Sequence, residues 1–223
     1  MTPFPIILSS PSGGGKTTIT KELLARRSDL GYSVSATTRG PRHAEVDGHD
    51  YHFMSHADFV GRQQGGEFAE SAEVHGKLYG TLRCEVHRVL DSGRHVIMDI
   101  DVQGAAKFGD AFPESVLIFL VPPSAEVLLR RLMARRTENA SDLLVRLETA
   151  KRELEAIPKY EYVVVNGDLE QAVRETAAII DAERLKRTRA PALGERVREL
   201  VDGLDREIAA LRLQSPAMPV PRG

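Results

Sequence analysis

Ser10-Pro11-Ser12-Gly13-Gly14-Gly15-Lys16-Thr17 lies between a short apolar run, Phe4 to Leu8, and an amphipathic stretch that begins at Thr17. The order of textures reads as strand, glycine-rich turn, helix. Glycines without Cβ let successive backbone N–H groups turn inward on an anion, and a helix N-terminus adds partial positive charge. Lys16 is placed to reach the β- and γ-phosphates of a nucleoside triphosphate and the Thr17 hydroxyl to ligate Mg²⁺. Ser10 stands where the strict pattern G-x-x-x-x-G-K-[ST] has its first glycine. The competing reading, a flexible Gly/Ser turn ahead of an ordinary helix, is disfavoured because the strand and helix on either side are the context the motif requires.

The rest of the chain bounds what such a loop can serve. Its 223 residues, 42% of them hydrophobic, suit one α/β domain with small inserted lobes. A formal net charge of −2 argues against broad electrostatic adhesion to nucleic acid or to an anionic membrane, so anion binding must rest on local arginine and lysine clusters. The single cysteine, Cys84, excludes an internal disulfide and a multi-cysteine metal site, and fits a reducing compartment. No apolar run approaches the ~18 residues of a membrane span, and the N-terminus lacks the pattern of a signal peptide. The expectation is a cytoplasmic protein acting on small molecules, with neither nucleic acid nor membrane as partner.

Apolar runs at Phe4 to Leu8, Val96 to Ile100, Val116 to Val121 and Tyr162 to Val165 are short and rich in β-branched residues. They alternate with helical patterns at Thr17 to Arg27, Thr81 to Leu90, Ser124 to Arg135, Leu143 to Ile157 and Leu169 to Lys186, as in a parallel sheet covered on both faces. Between residues 33 and 80 the texture changes to short strand-like pieces rich in Gly, His, Arg and Glu, read as an inserted substrate lobe. From residue 190 Ala-Pro-Ala-Leu-Gly marks a linker, and Pro216, Pro219 and Pro221 mark a disordered tail. Between them Val197, Leu200, Val201, Leu204, Ile208 and Leu211 form an apolar helical stripe that needs a partner surface. Packing back on its own domain and homo-oligomerisation through a short coiled coil both meet that need.

Chemistry concentrates in two further places. Ser33-Val34-Ser35-Ala36-Thr37-Thr38-Arg39-Gly40-Pro41-Arg42, followed by Glu45-Val46-Asp47-Gly48-His49-Asp50-Tyr51, gathers hydroxyls, two guanidinium forks and a phenol suited to a dianionic monophosphate. Glu67 to Glu70 and Gly76-Lys77-Leu78-Tyr79-Gly80-Thr81 precede the second core run, which ends Met98-Asp99-Ile100-Asp101-Val102-Gln103-Gly104. Taken together in this order and spacing, the phosphate loop, S-x-T-T-R-x-P-R, E-V-x-G-x-D-Y, the Tyr-Gly-Thr turn and D-I-D-x-Q-G resemble the guanylate kinase family, over about residues 5 to 186.

That resemblance implies a P-loop NTPase-type parallel sheet flanked by helices, an inserted GMP-binding lobe at 33–80 within a domain of residues 1–189, and a mobile helical lid at about 124–158. It implies phosphoryl transfer from ATP to GMP with Mg²⁺ as cofactor. Ser10, Pro11, Ser12, Gly13, Gly14, Gly15, Lys16, Thr17 and Thr18 would hold ATP, joined by Arg131, Arg135 and Asn166, with Mg²⁺ on Thr17 partly through water. Arg39, Arg42, Tyr51 and Tyr79 would hold the GMP phosphate. Ser35, Glu70 and Thr81 would meet the guanine, and Gly80 and Asp101 would contact GMP. Lys16, Arg39, Arg131, Arg135, Arg146 and Asp99 form the implied catalytic set. The sequence departs from the family at His43-Ala44, where Pro-Gly is usual, and at Arg136, where glycine commonly follows the lid arginine.

Physical reading agrees with the base assignment. Guanine offers N1–H and an exocyclic amine side by side, so one carboxylate accepts both, whereas adenine has no such pair. AMP would strand the acid, at a cost of about 1–3 kcal/mol or more for a charged group. Asp99 and Asp101 alternate at a strand end, where α/β proteins bind ligands, with helix capping the less favoured alternative for one of them. Arg131 and Arg135 lie one turn apart, a like-charge spacing that an anion would relieve. Arg130 and Arg136 read as a solvated basic face. Asn166-Gly167-Asp168 resembles the family's turn near the adenine, and turn formation and helix capping explain Asn166 equally well. His49, His52 and His56 are close in sequence, but no carboxylate or cysteine completes a metal set. Two rivals remain at this stage: a kinase of the same fold acting on another small molecule, and a guanylate-kinase-like interaction module without catalysis. Such modules usually have damaged phosphate loops, and Gly15, Lys16 and Thr17 are intact.

Overall fold

The computed structural model describes residues 2–74, 76–133 and 140–214. It divides into two compact units: Pro3–Glu183, and a second made of the N-terminal residues with the segment from Arg184 onward.

In the first unit five strands form a parallel sheet: β1 (Pro5–Ser9), β2 (Leu30–Tyr32), β7 (His95–Asp99), β8 (Val116–Val121) and β9 (Tyr162–Val165), in the order β2-β7-β1-β8-β9. Strand alternation divides the apolar side chains between two faces. Ile6 and Leu8 join Ile19 and Leu23 of α1 (Lys16–Arg26) and Val173 and Ile180 of α7 (Leu169–Arg184) on one face. Ile7 joins Val86 and Val89 of α3 (Arg83–Asp91), with Ala105 and Phe108 of α4 (Val102–Ala111), on the other. The fold is therefore the doubly covered parallel sheet expected from the sequence. β1 is buried along its whole length at the sheet centre, which puts the glycine-rich loop that leaves it at the middle of the carboxyl edge.

A second sheet, β4-β3-β6-β5, is built from β3 (Ala36–Thr37), β4 (His52–Phe53), β5 (Phe68–Val74) and β6 (Lys77–Leu82). With α2 (His56–Gln64) it encloses its own small core of Ala36, Phe59, Phe68 and Leu82, with Phe59 and Phe68 stacked 4.4 Å apart. Two helical expectations are corrected here. The helix placed at Thr81 to Leu90 begins at Arg83, because Gly80 and Thr81 are still paired with Ser71 and Glu70 in the antiparallel ladder. The stretch from Val102, given no helix in the sequence reading, is α4, opened by the Asp101 carboxylate accepting from the Gly104 N–H at 2.7 Å. Beyond β8 come α5 (Ala125–Met133) and α6 (Ala140–Leu154). Arg135 and Arg136 lie outside the described residues, as does the tail from 215 to 223.

In the second unit the chain passes through a short 3₁₀ turn, Arg187–Arg189, into α8 (Leu193–Gln214), a helix of 22 residues. Among the described residues no helix is long and apolar enough to cross a membrane.

Candidate functional site

The loop after β1 turns twice through left-handed backbone, at Gly13 (φ 81°) and Gly15 (φ 93°), and α1 starts directly on Lys16. Gly15 is doubly constrained, since a Cβ there would come within 2.4 Å of the Asn166 side-chain nitrogen. Asn166, buried at the carboxyl end of β9, donates from Nδ2 to the Gly14 carbonyl at 2.7 Å. Its own carbonyl accepts from Arg131 Nη2 at 3.0 Å. Arg146 of α6 donates to Ser12 Oγ at 3.1 Å, and the Ser12 N–H is taken by the Glu153 carboxylate at 3.0 Å. Burial raises the Glu153 acid above its ordinary range, while the Ser12 amide and the Lys16 charge favour its ionised form. Lys16 Nζ rests 3.4 Å from the Ser10 carbonyl, and Ser10 Oγ, at the position of the missing glycine, bonds the Pro11 carbonyl. α6 thus contacts the loop through Arg146 and Glu153, and α5 reaches it through Arg131 and Asn166.

Register carries the second layer of the site. Leu8 pairs with Asp99 across β1 and β7, so the first aspartate of D-I-D stands beside the loop. Asp99 Oδ2 accepts from Thr17 Oγ1 at 2.6 Å and Oδ1 from the Tyr32 hydroxyl at 2.8 Å. Burial and the Asp99 charge both hold the Tyr32 phenol firmly in its protonated, donating form. The strand ends at Asp99, and Asp101 is the N-cap of α4; the two do not act as a pair. Thr17 and Asp99 thus offer one hydroxyl and one carboxylate. Among the described residues no cluster of three or more His, Cys, Asp or Glu is gathered as for a closed metal cage. An open donor set fits Mg²⁺, which keeps its waters and takes its remaining ligands from substrate phosphates.

On the lobe, β5 and β6 place Glu70 opposite Thr81, and Thr81 Oγ1 donates to Glu70 Oε1 at 2.8 Å. Glu70 is 8% exposed. Burial lifts its acid to about 7; the Thr81 bond opposes that rise and the Asp101 charge adds to it. Gly80 is required beside it, because a Cβ there would meet the Glu70 carbonyl and the Phe68 ring at 2.8 Å. A separate cluster holds Arg39, whose guanidinium lies 5.2 Å from the Tyr51 ring centroid, while Tyr51 and Tyr79 meet edge to face at 6.1 Å. Glu45 clamps the fork of Arg39 at 2.9 and 3.0 Å and is thereby held well below the usual carboxylate range. Arg42 gives its backbone N–H to Glu45 and keeps its side chain exposed, and Ser35 precedes β3 with its carbonyl accepting from His52. A cleft of about 670 Å³ runs from the Ser10–Thr18 loop past Asp101, Val102 and Gln103 to Glu73 and Val74 of the lobe. Tyr32 and Glu153 are absent from the sequence reading, and Glu45 appears there only as part of its motif, without its clamp on Arg39.

A parallel sheet with a glycine-rich, lysine-bearing loop at its centre and an acid-floored lobe across a cleft defines a P-loop nucleotide kinase. The family model described as guanylate kinase matches residues 2–183. A guanylate kinase of Thermotoga maritima is 45% identical over 197 residues, 88% of this chain and 95% of that protein. One of Clostridium perfringens is 44% identical over 181 residues, 81% and 84% of the two chains. The crystal structure of guanylate kinase from Anaplasma phagocytophilum superposes with a TM-score of 0.71 at 34% identity, covering 87% of this chain and 93% of that one. The chain belongs to the guanylate kinase family. It is an enzyme that phosphorylates GMP to GDP with ATP as donor.

Proposed function

We propose a division of labour for that reaction between two anion-binding surfaces joined by the three residues Asp99 to Asp101. One observation carries it: Asp99 is bonded to the hydroxyl of the phosphate loop, while Asp101, two residues further along, caps the helix whose Gly104 packs directly against the Glu70 carboxylate. The backbone of Ser10 to Thr18 and Lys16 hold the ATP phosphates, and Arg131, Arg135 and Arg146 neutralise charge developing on the transferred group. Mg²⁺ would be held by Thr17 with Asp99 through water, supplying further neutralisation of the phosphate oxygens. Arg39, Arg42, Tyr51 and Tyr79 hold the GMP phosphate in line. Glu70, aided by Thr81 and Ser35, accepts from the guanine N1–H and amine, and Asp101 contacts the nucleoside. Asn166 acts on the donor side through Gly14.

Phosphoryl transfer asks for alignment and charge neutralisation, and no covalent intermediate on a side chain is part of this reading. Closure of the 33–80 lobe and the 124–158 lid would expel water, which otherwise competes as acceptor. A cytoplasmic location is supported by the one unpaired cysteine, Cys84. Association of like chains through the C-terminal helix completes the reading. The test is a coupled ADP-release assay with GMP, AMP, CMP and UMP as acceptors. Turnover with GMP alone is expected, and equal turnover with AMP would sink the Glu70 assignment.

A further inference from the structure

Among its described residues the second unit carries an apolar face with no counterpart. Along α8, Val197, Val201, Leu204, Ile208 and Leu211 are each 45–62% exposed. Their spacing alternates four, three, four, three, which is a heptad seam with Val201 and Ile208 at position a and Val197, Leu204 and Leu211 at position d. β-branched residues at a with leucine at d favour two parallel strands over higher assemblies. The seam fixes the flanks as well: Leu200 and Glu207 fall at g, and Arg198, Asp205 and Arg212 at e.

We infer that α8 is the dimerisation element of this protein, pairing in parallel and in register with α8 of a second copy. This develops the oligomeric part of the reading above and does not depend on the catalytic assignments. The number of filled layers, with charge beside it, selects the direction. In a parallel pair the g residue of one helix faces the e residue five positions later on the other, so Glu207 meets the partner's Arg212 on both sides of the seam, and all five apolar layers are filled. An antiparallel pair seats four layers at most. One four-layer register sets Glu207 against Glu207, Asp205 against Asp205 and Arg198 against Arg212, all like charges, and leaves Val197 outside the seam; the other, shifted by one heptad, sets Arg198 against Asp205 but leaves Leu211 outside it.

Sedimentation equilibrium on the full chain at tens of micromolar, with and without Leu204→Asp, reads the first half of the inference. The parent chain should show twice the monomer mass and the variant the monomer mass, with GMP kinase activity retained as the check that the catalytic unit is folded. A monomeric parent, or a dimer that survives Leu204→Asp, overturns the assignment to α8. Direction is read in a Cys84→Ser/Ile208→Cys chain, where the parallel register sets the two new thiols opposite each other at an a layer. Rapid oxidation to a covalent dimer is expected, and absence of that crosslink in a chain that still dimerises overturns the parallel arrangement. Arg212→Glu should raise the dimer dissociation constant roughly tenfold at low salt, and Glu207→Arg added to it should restore the original value. Failure of the nucleotide panel with these results intact would count against the kinase reading alone.

Discussion

In the proposed division of labour the donor loop and the acceptor lobe solve the same problem, holding a phosphate, by opposite means. Around Ser10 to Thr18 the groups offered to an anion would be mostly backbone amides, in a loop shaped by left-handed glycines and braced from outside by Asn166, Arg131 and Arg146. On the lobe they are side chains already satisfied by one another: Arg39 is clamped by Glu45, and Glu70 is partnered by Thr81. A backbone cradle needs little reorganisation when its ligand arrives, whereas a side-chain cradle must exchange internal partners for external ones. The donor side should therefore respond to substitution mainly in turnover, and the acceptor side mainly in selectivity and pH dependence.

Lys16→Met tests the first half of that contrast and should have the largest effect. Removing the one cationic side chain of the loop should lower kcat by roughly 10³-fold or more, because its charge is most needed where negative charge develops on the transferred group. GMP affinity, measured by calorimetry, should stay within about threefold. Loss of GMP binding with normal kcat would place Lys16 on the wrong side of the cleft.

Glu70→Gln tests the second half and moves two readouts in opposite directions. Its amide keeps an acceptor for Thr81 but presents a donor to the guanine edge, so kcat/KM for GMP should fall by about 10²-fold and preference over AMP should shrink. The same change should stabilise the fold. Glu70 titrates near 7 folded against 4.5 unfolded, so between those values the native state binds the extra proton and stability declines as pH rises. Above about pH 7 the whole deficit is present, roughly 3 kcal/mol, and its removal should raise Tm by roughly 6–12 °C at about pH 8 and leave it nearly unchanged at about pH 4. In the parent, GMP binding should tighten as pH rises through about 7, a dependence that Glu70→Gln should flatten.

Asn166→Ala returns to the donor side with a smaller effect. The Gly14 carbonyl loses its buried donor and the close packing against Gly15 opens, so the KM for ATP should rise about tenfold while the KM for GMP holds. Parallel rises in both constants would make Asn166 a general stabiliser instead of a brace for the loop.

How far these two surfaces could be read from the chain follows from their construction. Eight contiguous residues specify the phosphate loop, because strand, turn and helix signals are local; Phe4 to Leu8 and Val116 to Val121 read equally well as buried runs. Glu153 carries no such signal. It is 141 positions from the Ser12 amide it caps and looks like any carboxylate on an amphipathic helix. The α4 helix was hidden because Gly104 and Gly109 interrupt its apolar pattern, although Asp101, its cap, was in view. Thr81 was drawn into a helix for the converse reason: its place in β6 is decided by Glu70 across the ladder.

Tyr32 is the clearest case of a residue that only topology reveals, and it carries the smallest prediction. β2 has three residues and no apolar run, yet parallel pairing sets Tyr32 against Ile97, two residues before Asp99 in β7, and its hydroxyl reaches Asp99 Oδ1. Because Oδ2 of the same carboxylate holds Thr17, the phenol fixes the plane in which that acid faces the loop. Tyr32→Phe keeps the ring and its packing and removes this bond alone. A positioning role predicts a loss of about three- to tenfold in kcat together with a higher Mg²⁺ concentration for half-maximal rate, since a carboxylate free to rotate presents its oxygens less consistently. A purely structural role would lower Tm and leave the Mg²⁺ dependence where it was. The outcome decides whether the donor surface ends at the loop or extends one strand further, to the edge of the sheet.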